Sequence, residues 1–220
     1  FTTEFIEKTK HYKVLRYMDW MQTNGSTQST WGNRPKPNDT AYSTKGVPAE
    51  VMVKLANKLY ADPWFTLPHQ ATDDYITRFA ELAHEQLDPG RKVYVEYSNE
   101  LWNNGFIQTS YTRTQGVLLW PSQSSTPWVA GWNYVGYRTS QMCDIWKSVW
   151  GADSSRVVCV LGSQAANSSI SKTILDCSLW TGSGGDCARH VDALAIAPYF
   201  GSSATLDNLT YGWSTSTTQT

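Results

Sequence analysis

The 220-residue chain predicts a parallel α/β fold, and within that class an eight-stranded (β/α)8 TIM barrel of which five strands are visible. Three observations predict it. Short apolar runs alternate with helix-period patterns along the chain, the order required by parallel strands joined by helices. The runs finish in polar or aromatic residues, namely Asp19-Trp20, His69, Asn99-Glu100 and Tyr199, and barrels carry function at the carboxyl ends of many strands. No glycine-rich turn follows an early strand, as a nucleotide-binding doubly wound sheet would need; "GSGGD" at 182–186 follows a helix and precedes a strand.

Each element has its own signal. The tail of a helix in residues 1–11 precedes the first strand, "KVLRYMDW" (13–20), and a Gly-, Ser-, Asn- and Pro-rich loop covers 21–47. Pro48 opens a helix whose apolar face carries Val51, Leu55 and Leu59. "PWFTLPH" (63–69) is the second strand. Thr72 or Asp73 caps the next helix, striped by Tyr75, Phe79, Leu82 and Ala83 and stopped by "DPG". The third strand begins "VYVEY" at Val93. A loop with a short helix spans 103–127, and a long helix covers 128–150 with Tyr134, Tyr137, Met142, Ile145 and Trp146 inward. "RVVCVLG" (156–162), a helix over "ISKTILDCSLW" and the strand "VDALAIAPYF" (191–200) complete the pattern, and the residues beyond read as loop. Without a break in composition the chain reads as one domain, 1–220. Strands apolar on both faces are expected, and five strands of eight leave two open edges for a complementing chain.

Composition narrows the partners. Eighteen basic residues balance 19 acidic ones with no run of like charge, which argues against nucleic acid and anionic membrane. No stretch approaches the ~18 to 20 apolar residues of a membrane span. Eleven Trp and 12 Tyr with only 17% charged residues suit neutral, ring-shaped ligands. The four cysteines lack close C-x-x-C spacing, so a metal is not expected, and no organic cofactor is implied. Cys177 and Cys187 flank a loop that a disulfide would close in an oxidising compartment, although spacing alone leaves the pairing open. With sequons at Asn24, Asn38, Asn167 and Asn208, this leans toward secretion. The first residues, "FTTEFIEKTKHY", are too polar for a signal peptide, and a chain starting with Phe reads as processed or as part of a longer one.

The third strand poses the functional question. It climbs through Val93, Val95 and Tyr97 and finishes in Asn99-Glu100. Burying an unpaired carboxylate is costly, so Glu100 is expected to have a partner, a proton or a task. Glu96, on the same face by period-two counting, is expected to form a buried ion pair with Arg16.

"YVEYSNELWN" resembles the fourth-strand motif of clan A glycoside hydrolases, in which a strand ends in Asn-Glu and a further Glu often lies four residues earlier. The resemblance implies Glu100 as general acid/base and Asn99 as the contact to the sugar 2-hydroxyl. It matches Arg16 of "VLRYMDW" to the clan's second-strand arginine, which supports the nucleophile, and His69 of "LPH" to a third-strand position lining the sugar site. Tyr199 of "APYF" looks like the aromatic ending of strand six. The likeness covers roughly residues 12–200, strands two to six of eight. Trp20, Trp31 and Trp102, at or just past strand ends, read as platforms for sugar faces.

Chemistry asks for the same residue types. Glycosidic cleavage needs an acid on the leaving oxygen and a second carboxylate about 5 to 5.5 Å away in retaining enzymes, or farther in inverting ones. An indole such as Trp102 beside the acid would raise its pKa toward the working pH. The chain departs from the clan in two ways: Leu101 stands where many members have Pro, and no Glu follows Tyr199 to serve as the strand-seven nucleophile. The expectation is therefore a retaining hydrolase of β-linked poly- or oligosaccharides whose nucleophile lies outside this chain. Asp19 is the in-chain alternative for an inverting enzyme, though capping or loop hydrogen bonds explain it equally well. A non-catalytic carbohydrate-binding barrel is the competing reading. A sugar-phosphate enzyme would want basic residues and glycines at the last strand tips, and "LGSQAA" lacks the second glycine of a serine-nucleophile elbow.

Overall fold

A computed structural model describes residues 1–181 and 186–198. Five strands, β1 (Val14–Arg16), β2 (Asp62–Leu67), β3 (Val93–Tyr97), β4 (Val157–Gly162) and β5 (Ala193–Ala195), pair in parallel and in sequence order in one sheet. The sheet is curled like half a barrel. A doubly wound sheet reverses its order at a switch point, and this order never reverses. With right-handed crossovers, sequential order sends the connecting helices to one face of the sheet.

Those helices are α1 (Thr3–Thr9), α2 (Ala49–Leu59), α3 (Asp73–Gln86), α4 (Ile107–Leu119), α5 (Pro127–Trp150) and α6 (Ser168–Asp176). They pack as neighbours, α2 on α3, α3 on α5, and α5 on both α4 and α6. The core lies between them and the sheet. Phe65 and Leu67 of β2, Val93 and Val95 of β3, and Cys159 and Leu161 of β4 are fully buried there. Phe65 meets Phe79 of α3 edge-on at 4.9 Å.

The alternate residues look onto the concave face; β4 (VVCVLG) is apolar on both sides as expected, whereas β2 and β3 depart from that expectation. Trp64 stacks on Tyr94 at 5.7 Å, and Glu96 lies beside Arg16. On β2 and β3 one face meets helices and the other does not, so their pattern alternates as period two dictates.

Local chemistry sets the boundaries. Thr72 caps α3 by accepting the Tyr75 N–H at 3.2 Å, as its position predicts. The buried face of α2 runs through Met52, Val53, Leu55, Ala56 and Leu59, with Val51 at its half-buried margin. The first strand is shorter than the run "KVLRYMDW", because the Met21 N–H donates to the Tyr17 carbonyl at 2.8 Å and turns the chain. The 103–127 segment holds a full 13-residue helix, α4. Its Gly116 is required, since a Cβ there would lie 2.3 Å from the Ala130 carbonyl oxygen of α5. Left-handed Cys177 ends α6, and its sulfur is bonded to that of Cys187. The last strand is confined to Ala193–Ala195, and Tyr199 lies outside the described residues. No helix among the described residues is long and apolar enough to cross a membrane.

Candidate active site

All five strands contribute to one cleft of about 470 Å³ at their carboxyl ends. Arg16 enters from β1, Trp64 from β2, and Glu96, Asn99, Glu100 and Trp102 from β3 and the turn beyond it. Gly162, Ser163 and residues 195–198 close the opposite wall.

An ion pair forms the floor. Arg16 donates to Glu96 Oε2 from Nε at 3.1 Å and from Nη2 at 2.9 Å, and the Trp64 indole N–H reaches the same oxygen at 2.9 Å. The guanidinium also lies over the Trp64 ring, 5.3 Å from its centroid. Glu96 is buried, and desolvation pushes its carboxyl up, outweighing the pull of Arg16 and of the Arg16 and Trp64 hydrogen bonds. The pairing expected from the sequence is thus present, and it occupies Glu96 with structure.

The ion pair aims Asn99. Arg16 Nη2 also donates to Asn99 Oδ1 at 3.0 Å, and because guanidinium only donates, the orientation of the Asn99 amide follows. Asn99 Nδ2 then donates to Asn24 Oδ1 at 3.0 Å, which also accepts from Gln108 Nε2 at 2.7 Å. Gln108, fully buried on α4, donates to the Asn99 carbonyl at 3.0 Å and accepts the Gly25 N–H at 3.0 Å. Every amide in this chain has one consistent direction.

Glu100 is half-buried and accepts a hydrogen bond from Asn103 Nδ2 at 2.8 Å. Strand parity would put Asn99 and Glu100 on opposite faces, yet both line the cleft. The backbone explains this. The Ser98 N–H makes a last ladder bond to the Leu67 carbonyl, and then Ser98 (φ 60°) and Glu100 (φ 45°) turn the chain through left-handed conformations. Such conformations at non-glycine residues cost of order 1–3 kcal/mol and collect at functional sites. Ala197, on the facing wall, is left-handed too (φ 45°).

Of the residues singled out from the sequence, Arg16, Asn99, Glu100 and Trp102 meet in the cleft. His69 does not line it. It is buried edge-on against Tyr111 at 5.0 Å, and burial lowers its pKa to about 4, so it is neutral near pH 7. Trp20 packs with Phe5 and Tyr17, and Trp31 sits edge-on to Tyr75 and Phe79 under the Arg34 guanidinium. Both belong to the packing around α1, α2 and α3. Asp19 is exposed in the turn after β1. Sequence reasoning missed Trp64, Asn24 and Gln108; strand alternation on β2 would have flagged Trp64, and nothing local marks the other two.

No protein-family model, curated protein or solved structure matches the chain. The site has to be read from its chemistry. It offers one half-buried carboxylate, an amide with a fixed orientation, and a wall that includes the Trp64 and Trp102 indoles. Among the described residues the carboxylates lining the cleft are Glu96 and Glu100.

Proposed function

We propose that the protein is a glycoside hydrolase of clan A type, built on a TIM barrel and acting on β-linked poly- or oligosaccharides. The observation that carries the reading is the placing of Asn99 and Glu100 together at the end of the sheet's central strand, in a cleft floored by Arg16 and walled by Trp64 and Trp102. Glu100 protonates the glycosidic oxygen as the bond breaks and then takes a proton from the attacking water. Asn99 directs its remaining N–H to a hydroxyl of the sugar. The Arg16–Glu96 pair holds Asn99 and keeps the floor polar. Retention requires a nucleophile about 5 to 5.5 Å from the acid, and in this reading a strand-seven glutamate beyond these 220 residues supplies it. The Cys177–Cys187 bridge favours an oxidising, extracellular setting.

One observation favours the alternative, a carbohydrate-binding barrel without turnover. The second carboxylate of the cleft, Glu96, is already held by Arg16 and Trp64. Glu100→Gln in the full-length protein separates the two. A hydrolase loses at least about 100-fold in kcat on β-glucan, xylan or mannan, and azide restores turnover of aryl β-glycosides with retained configuration. A parent protein that binds these glycans and cleaves none of them is the binding protein.

A further inference from the structure

Trp102 lines two cavities, the Glu100 cleft and a second pocket of about 610 Å³. We infer that this second pocket is a further sugar subsite, seating pyranose units of the same glycan that occupies the Glu100 cleft. The inference rests on the reading of that cleft as a glycan site.

Two more indoles and several amides make up the pocket, with Trp128 and Trp132 of α5 facing Asn103, Asn104 and Arg113. Trp128 and Trp132 are four residues apart, so they stand on one helix face, one turn apart. Their position relative to α4 is set by glycine. A Cβ at Gly131 would lie 2.9 Å from Arg113 Cγ, and one at Gly116 would strike the Ala130 carbonyl, so the two helices close only without side chains there. That close approach brings Arg113 up against the foot of the indoles.

The polar groups are those that bind hydroxyls. Arg113 Nη2 donates to Asn104 Oδ1, and its buried Nε–H has no protein acceptor among the described residues. Among the described residues no carboxylate lines the pocket. Trp128 is 45% exposed, a large apolar ring left in water that the C–H face of a pyranose would cover. Indole faces for the ring and amide or guanidinium donors for its hydroxyls suit a sugar better than a flat apolar ligand, which would leave the donors unmet. Because Trp102 lines both cavities, the occupant is the neighbouring units of the chain seated in the cleft.

The test is length dependence. In full-length protein carrying Glu100→Gln, calorimetric titration with β-linked gluco-, xylo- and manno-oligosaccharides of two to six units should show affinity rising about tenfold, equal to about 1.4 kcal/mol, once the chain passes Trp102. Trp128→Ala should erase that rise and leave the affinity of the shortest binding sugar within about twofold; its ring is too exposed for the change to unfold the protein. Trp132→Phe, which keeps an aromatic ring at the position while shortening the platform, should blunt the same rise. Affinity that is flat with length, or a rise indifferent to both substitutions, overturns the subsite and leaves the cleft reading standing. Absence of binding at every length, together with an inert parent enzyme, overturns both.

Discussion

Gly162 on β4 leaves the space that the Glu96 carboxylate of β3 fills, since a Cβ at 162 would stand 2.9 Å from Glu96 Oε1. The glycine does not serve a left-handed turn here; its conformation is open to other residues, and only the neighbouring carboxylate forbids a side chain. Because Glu96 holds Arg16 and Arg16 holds Asn99, the aim of Asn99 depends on a missing methyl group one strand away.

On the proposed glycan reading of the cleft, Gly162→Ala is therefore expected to lower affinity or turnover by at least about tenfold while costing about 1–3 kcal/mol of stability, the range for overpacking a filled site. A double-mutant cycle with Glu96→Ala checks the route. The two substitutions should be strongly non-additive, because removing the carboxylate frees the space the new methyl needs. Additive losses would mean that Gly162 acts through something other than Glu96.

How much of this was legible in the sequence follows the range of the interactions. The alternation of strand and helix, the α3 cap at Thr72 and the Arg16–Glu96 pair were readable, because period, capping chemistry and the cost of a buried charge are local or nearly obligatory. Trp20 and Trp31 were placed in the site for standing near strand ends, yet they pack against α1 and α3, and their direction depends on tertiary neighbours that no local rule supplies. Asn24, 75 positions from Asn99 and 84 from Gln108, is joined to both only by the closing of the fold. Asn99 and Glu100 share the cleft because two left-handed residues break strand parity, and neither Ser98 nor Glu100 is a residue from which that conformation is expected.

His69 makes stability depend on pH. Its folded pKa is depressed from 6.5 to about 4 by burial, so the unfolded chain binds the proton more tightly. Its contribution is present in full above pH 6.5 and is lost as pH falls through about 4, a change of about 3 kcal/mol at 1.36 kcal/mol per pH unit. Glu96 has the opposite sign: its raised folded pKa adds stability below 4.5 that is lost as pH rises through the folded value. Urea midpoints at pH 7 and pH 4.5 should fall apart in the parent protein and draw together in His69→Phe. An equal drop in both proteins would place the titrating group elsewhere.

The cysteines divide into two kinds, and thiol counting tests the division. Cys177 and Cys187 are bonded, whereas Cys143 and Cys159 are free and buried, with burial pushing the Cys143 thiol up. The native protein should show no thiol reactive to a disulfide reagent, the unfolded protein two, and the unfolded and reduced protein four. Cys177→Ser with Cys187→Ser should cost roughly 2–3 kcal/mol, the range for closing a loop of this length. The bridge sits beside Gly136 of α5, where a Cβ would lie 3.2 Å from Cys187 Sγ and 2.1 Å from the Ile174 carbonyl oxygen, so Gly136→Ala should destabilise the same corner. Four reactive thiols in unreduced, unfolded protein would contradict the pairing.

Ser98 should reveal a trade between stability and function. It is fully buried, left-handed at φ 60°, and its hydroxyl has no hydrogen-bond partner among the described residues. Each of these raises the energy of the folded state, the backbone by of order 1 kcal/mol and the hydroxyl by about 1–3 kcal/mol. Glycine removes both penalties and gives back about 0.5–1 kcal/mol through its freer unfolded chain, so Ser98→Gly should raise stability by about 1 kcal/mol. The same freedom loosens the turn that carries Asn99 and Glu100 to one side of the strand, so on the proposed glycan reading affinity or turnover should fall several-fold in the stabilised variant. Chemical denaturation and oligosaccharide titration on one preparation read both effects. Greater stability with undiminished binding would show that the left-handed turn is set by the surrounding packing alone, and that the serine does not help to hold Glu100 in place.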